Sequence, residues 1–127
     1  MIPSGQLDSK SAIRAAKDSL EKYGRFWLGN EKIESEFYDL DLLTREERYM
    51  AIDVALQEVS PACRLGPQPP KVIAKGVFQG NYLYAFRWHS QEFKREMYFK
   101  FALSSDAGGT HLAVYSFHES TDKEAPV

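Results

Sequence analysis

The sequence predicts an α+β fold, with two N-terminal helices packed on a four-stranded antiparallel meander, and three observations predict it. The first sixty residues space their apolar side chains as helices do, with capping signals beside them. From Lys71 to Ser120 the spacing becomes alternating and is rich in Tyr, Trp, Phe, His, Arg and Lys. Between the two lies Ser60–Pro70, where Pro61, Gly66, Pro67, Pro69 and Pro70 exclude a helix and disfavour a strand. The 127 residues are expected to form one domain over residues 1–120, with a polar, frayed tail at 121–127.

Asp8 or Ser9 caps the first helix, which runs to about Lys22. Ile13, Ala16, Leu20 and Tyr23 make one apolar stripe, and Gly24 is the stop signal. Arg25 to Tyr38 is ambiguous: Phe26, Trp27, Leu28 and Ile33 can dock a connecting segment, and Gly29-Asn30 marks a turn. The second helix begins at a capping box, Thr44 with Glu47, and carries Met50, Ala51, Ile52, Val54, Ala55, Leu56 and Val59. So wide a stripe suggests packing against both the sheet and the first helix. Pro61 ends it.

Four strands are expected at Val72–Gln79, Tyr82–His89, Arg95–Ser104 and His111–His118. Gly80-Asn81 reads as a two-residue hairpin with Gly supplying the positive φ. That turn sets Phe78 opposite Leu83, Val77 opposite Tyr84, Lys75 opposite Phe86 and Ile73 opposite Trp88. A longer loop at Asp106–Gly109 pairs Leu103 with Leu112, Phe101 with Val114, Phe99 with Ser116 and Met97 with His118. Met97, Phe99, Phe101 and Leu103 become the core row. The other face is then lined by Tyr98 and Lys100 opposite Phe117 and Tyr115, joined by Tyr84, Phe86 and Trp88 if the registers agree. In this register His118 falls on the core side, and only a twist or bulge brings it round to Tyr98.

The composition excludes several classes of function. The net charge of −2 offers no global footprint for nucleic acid, although a local basic face remains open. The single Cys63 excludes an internal disulfide and a cysteine zinc site. No apolar run approaches a membrane span, so no membrane partner is expected. The segment MIPSGQLDSK lacks the apolar core of a signal peptide, and a cytoplasmic setting follows. His89, His111 and His118 lack ligand spacing and read as surface histidines, so no metal is expected. No phosphate-binding or dinucleotide glycine pattern is present, and no cofactor is expected. Glu31, Glu34, Glu36, Asp39 and Asp41 read as a solvated acidic loop. The row Tyr82, Tyr84, Phe86, Trp88 is more ordinary as a packed sheet face than as a base-stacking platform.

Bases and aromatics nevertheless gather in the sheet half: Lys75, Arg87, Lys94, Arg95, Tyr98, Lys100, Tyr115 and His118. Metal-independent RNA cleavage needs a base for the 2′-hydroxyl, a cation for the phosphorane and an acid for the leaving 5′-oxygen. Tyr98, Lys100 and His118 are the candidate catalytic residues. Lys75, Arg87 and Tyr115 are the candidate substrate-binding residues.

Met97-Tyr98-Phe99-Lys100 and Val114-Tyr115-Ser116-Phe117-His118-Glu119, following a helix at Arg45–Val59, resemble the C-terminal half of MqsR-type toxins. Those belong to the wider RelE-like mRNA interferases of bacterial toxin–antitoxin systems, and the resemblance spans residues 39–119. It implies a RelE-like fold, an endoribonuclease activity and a separate neutralising antitoxin. It also implies that the family's strand tyrosine and sheet lysine fall on Tyr98 and Lys100, and the basic residue after Ser-Phe on His118. Lys75 corresponds loosely to a lysine of the preceding strand. The chain departs from the family in its slight acidity, in Tyr82–Trp88, which lacks the Trp-Gln-Asp stretch, and in some forty additional N-terminal residues. The competing expectation is a non-enzymatic α+β interaction protein, whose aromatic sheet face binds a partner protein or a small ligand.

Overall fold

The first helix, α1 (Ser9–Tyr23), starts where the Asp8 carboxylate accepts the Ser11 amide at 2.7 Å and ends where Gly24 turns left-handed with φ 63°. Both boundaries match the expectation. The computed structural model describes residues 6–66 and 70–120. The tail expected at 121–127, together with Pro67 and Pro69 of the crossover, lies outside the described residues.

Arg25 to Tyr38 resolves into a two-residue strand, β1 (Trp27–Leu28), and a helix, α2 (Lys32–Asp39). The Asn30 side chain accepts the Ile33 amide at 3.1 Å, satisfying a helix N–H that has no partner in the first turn. Ile33 and Phe37 enter the core. The acidic run is therefore mostly helix rather than solvated loop, and Glu36 is only 7% exposed. The next helix, α3 (Arg45–Glu58), has the expected capping box: Thr44 Oγ1 accepts from Glu47 N at 3.1 Å, and Glu47 Oε1 accepts from Thr44 N at 2.9 Å. It packs on α1 and on the sheet. Ala51, Ile52, Ala55 and Leu56 are buried, but Met50 is 56% exposed, so the buried stripe is narrower than the apolar run. Among the described residues three α-helices stand where two were expected.

The sheet has five strands rather than four, in the order β1-β5-β4-β3-β2. A 3₁₀ turn at Pro61–Cys63 leads from α3 into β2 (Arg64–Leu65), which pairs with β3 (Leu83–Ser90). Two residues are enough for an edge strand, and so the proline-rich crossover contains one after all. β4 (Arg95–Asp106) and β5 (Gly109–Glu119) complete the antiparallel part. β1 runs parallel to β5, Trp27 beside Ala113, and makes the sheet mixed.

Val72–Gln79 is not a strand. Val72 makes a single bridge to Tyr82, Ile73 N donates to Asn81 O, and Gly80 N donates back to Ile73 O, both at 2.9 Å. Gly80 does take a positive φ, 88°, but Gly76 takes another at 97°. Two left-handed positions so close together make successive turns, and the segment curls into a loop. The expected partners of β3 are thereby lost. Tyr84 and Phe86 instead pair with Phe101 and Phe99 of β4.

On the last hairpin, Leu103 faces Leu112 and Phe101 faces Val114 as expected. Beyond them the register shifts at Lys100/Phe101, and Tyr115 is the extra residue. Lys100 then faces Ser116 rather than Tyr115, Phe99 faces Phe117, Tyr98 faces His118 rather than Phe117, and Met97 faces Glu119. Met97, Phe99, Phe101 and Leu103 form the buried row as anticipated. Tyr84, Phe86 and Trp88 of β3 and Leu112, Val114 and Phe117 of β5 join the same cluster beneath the helices. Of the aromatic residues assigned to an open face, Tyr84, Phe86, Trp88 and Phe117 are thus core.

Candidate functional site on the sheet face opposite the helices

Alternation along a strand sends Arg87, Tyr98, Lys100 and His118 away from the helices, because their neighbours Phe86, Trp88, Met97, Phe99 and Phe117 point toward them. Arg87 lies opposite Tyr98, and Tyr98 opposite His118, so the three form a row across β3, β4 and β5. The bulge at Tyr115 produces this row. Without the extra residue His118 would point into the core. The Tyr98 and His118 rings lie 5.2 Å apart between centroids, tilted by 31°. Lys100 is two residues further along, between Ala85 and Ser116.

The row is partly covered. Tyr98 is 4% exposed, whereas Arg87, Lys100 and His118 are half-buried. His118 Nδ1 lies 2.8 Å from the Glu119 carbonyl oxygen, which directs the ring. Tyr115 does not stand in the row. Its ring packs over Gly29, sits 6.2 Å from Phe78 and joins Ile73, Leu83 and Ala102 in a second, small apolar cluster. Burial pushes the Tyr115 phenol up from its ordinary value of 10.0. Lys75 is exposed on the curled loop, off the sheet altogether. Four of the six candidate residues thus share one patch, Tyr115 closes its end, and Lys75 stands outside it.

Lys32, Lys71 and Glu36, none of them a candidate site residue in the sequence, shape the electrostatics. Burial lowers the Lys100 amine from its ordinary value of 10.5, and the Lys32 and Lys71 charges lower it further, while Glu36 opposes them. Glu36 reaches from α2 to the outer edge of β5, where Oε1 accepts the Phe117 amide at 2.7 Å and Oε2 lies 3.5 Å from Lys32 Nζ. With Gly29 N donating to Val114 O at 2.8 Å and Asn30 Nδ2 to Tyr115 O at 3.2 Å, the segment from β1 to α2 satisfies the backbone around the bulge. The acidic spacing of α2 carried no sign of this, because the partner is a backbone amide more than eighty residues away.

The other histidines are placed elsewhere. His89 Nδ1 lies 2.7 Å from Glu96 Oε2 at the far end of the sheet, and His111 lies 3.4 Å from Asp106 and stacks on Tyr23 with centroids 4.7 Å apart. Among the described residues no group of three His, Cys, Asp or Glu side chains could hold a metal ion. No helix among them is long and apolar enough to cross a membrane. The patch can offer the cations Arg87 and Lys100 and the His118 imidazole to an anionic ligand, with the Tyr98 phenol buried among them. No family model, curated protein or solved structure matches this chain.

Proposed function

We propose that this chain is a metal-independent endoribonuclease, like the MqsR-type and RelE-like interferases its strands resemble, acting from the sheet face opposite the helices. The observation that carries the reading is the bulge at Tyr115, which turns His118 onto the face of Tyr98, Lys100 and Arg87. His118 takes the proton of the 2′-hydroxyl. Lys100 stabilises the phosphorane, and its lowered affinity for its proton suits it to protonate the leaving 5′-oxygen. Tyr98, buried beneath His118, is a positioning residue. Arg87 contacts phosphate, Lys75 adds charge from its loop, and Tyr115 borders the patch with its ring. A separate antitoxin protein is the corresponding neutralising partner.

The test is incubation of labelled single-stranded RNA with the pure protein in the presence of EDTA, reading cleavage and cyclic-phosphate ends. His118→Ala and Lys100→Met should each lower the rate by at least about a hundredfold. Lys75→Ala should chiefly weaken binding. Intact RNA at stoichiometric protein, with growth unimpaired on expression, would overturn the reading.

The low exposure of Tyr98, together with Trp27 at 46% and Leu28 at 41%, favours a second reading, a partner-binding protein. Its signature is a stable stoichiometric complex with no RNA turnover. The aromatic row first considered for that role is core, so the partner's surface would lie at β1.

A further inference from the structure

At the β1 edge of the sheet, the end of α1, β1, α2 and the start of α3 line a groove of about 630 Å³. That volume lies within the range of small-ligand sites. Its lining includes the aromatic residues Tyr23, Phe26, Trp27 and Tyr49, and its charged residues are Arg25, Arg45 and Arg48, with Glu34 the one carboxylate among them. The three arginines are not equivalent. Arg48 Nη1 donates to Glu34 Oε2 at 2.8 Å, its Nε donates to the Leu42 carbonyl at 2.9 Å, and its guanidinium lies over the Phe37 ring. Glu34 is neutralised by that contact, and Arg48 is committed to holding α3 against α2.

Arg25 and Arg45 have no carboxylate partner among the described residues. Arg25 is instead laid over two rings, 5.3 Å from the Trp27 centroid and 5.8 Å from that of Tyr23. Stacking of this kind holds the planar fork flat while leaving its edge N–H groups to bind an oxyanion. The rings themselves are held. The Tyr23 hydroxyl donates to the Gly108 carbonyl, and the Tyr49 hydroxyl donates to Leu20 O at 3.3 Å. Trp27 remains 46% exposed at the groove's edge, a large apolar surface that a flat ligand could cover. Two uncompensated guanidiniums beside fixed aromatic rings complement one class of ligand: a small anion carrying a flat ring.

We propose that this groove binds a small aryl or nucleoside phosphate, its oxyanion on Arg25 and Arg45 and its ring against Trp27. The proposal does not depend on the ribonuclease reading, since the groove is lined by none of Arg87, Tyr98, Lys100 and His118. The chain has two tryptophans, and Trp88 is buried with its Nε1 donating to Glu58 at 3.0 Å, so ligand-dependent emission change reports on Trp27.

The experiment titrates the full chain with adenosine 5′-monophosphate and with phenyl phosphate, following tryptophan emission, with adenosine and inorganic phosphate as part-ligands. The expected result is saturable quenching by at least one of the two, with a Kd of about 1 mM or tighter, and weaker binding of its parts. Trp27→Phe should abolish the signal while calorimetry still detects binding. Arg25→Gln and Arg45→Ala should each weaken binding about tenfold with the thermal midpoint unchanged. His118→Ala with Lys100→Met should leave it intact, which separates this site from the patch of Arg87, Tyr98, Lys100 and His118. No saturable binding of either probe overturns the proposal. So does binding insensitive to both arginine substitutions, and so does capture of a glutamate-rich peptide with neither phosphate binding, which would assign the groove to a protein partner.

Discussion

Glu36 Oε1 accepts the Phe117 amide at 2.7 Å, so a helix side chain occupies the place on the outer edge of β5 where a neighbouring strand would bond. The contact lies two residues past the bulge, on the amide that precedes His118. Glu36→Ala leaves that buried N–H without a partner and should cost about 2 kcal/mol in urea unfolding. Because it also frees the end of β5, it should lower any RNA cleavage by more than the loss of stability accounts for, and Glu36→Gln should restore part of both.

Tyr115 rests directly on Gly29. A Cβ added at Gly29 would come within 2.5 Å of the Tyr115 ring. Gly29→Ala is therefore expected to destabilise by about 2 kcal/mol through overpacking. In a Tyr115→Ala background the same substitution should cost less than about 0.5 kcal/mol, and a double-mutant cycle measures the difference. Equal costs in the two backgrounds would show that the ring does not constrain Gly29.

Glu58 closes the turn between β3 and β4. It accepts from Trp88 Nε1 at 3.0 Å, Ser90 Oγ at 2.7 Å, Gln91 N at 2.9 Å and Glu92 N at 3.1 Å. Burial raises its pKa, but the four donors together outweigh burial, and the net position is below the ordinary 4.5. The folded state thus binds this proton less readily than the unfolded chain. The resulting stability is present above pH 4.5 and is lost as pH falls through the lower folded value. Glu58→Gln should flatten the acid limb of the stability profile, read by thermal melts across that range.

Lys100 works in the opposite sense. Its folded pKa lies below 10.5, so its protonated form is penalised in the folded state. The penalty is complete at pH values below the folded pKa and is relieved as pH rises toward 10.5. Lys100→Met should raise stability at neutral pH and remove this part of the alkaline rise. Under the proposed function, a gain in stability coupled to a loss of RNA cleavage is the pattern expected of a residue kept for function.

Ser19 lies on the buried side of α1 at 4% exposure, and its Oγ has no hydrogen-bond partner among the described residues. Ser19→Ala removes a dehydrated hydroxyl and improves helix propensity, and should stabilise by about 1 kcal/mol in denaturant titration.

The parts that could be read from the chain are those whose causes are local. Asp8, Gly24 and the Thr44–Glu47 box act within a few residues, and they bounded α1 and α3 correctly. The alternation of Met97, Phe99, Phe101 and Leu103 identified the core row, because hydrophobicity of period two needs no knowledge of the partner strand. The segment 72–79 misled because its alternation is strand-like, whereas the two left-handed glycines within and beside it dictate turns. For the candidate site the sequence supplied Tyr98, Lys100, His118 and Arg87 as chemistry, but divided them between two faces.

Sequence alone determined the α+β class, the two best-capped helices, the core row of β4 and the types of charged and aromatic residue on the last strands. Tertiary structure decided where those residues point. Gly29 and Asn30 donate to the carbonyls of Val114 and Tyr115 and Glu36 accepts the Phe117 amide, so β5 can carry one residue more than β4 without leaving these backbone groups unmet. That single extra residue reverses every side chain after it, burying Phe117 and bringing His118 beside Tyr98. Its cause lies in contacts between segments more than eighty residues apart, and no local pattern within either segment contains it.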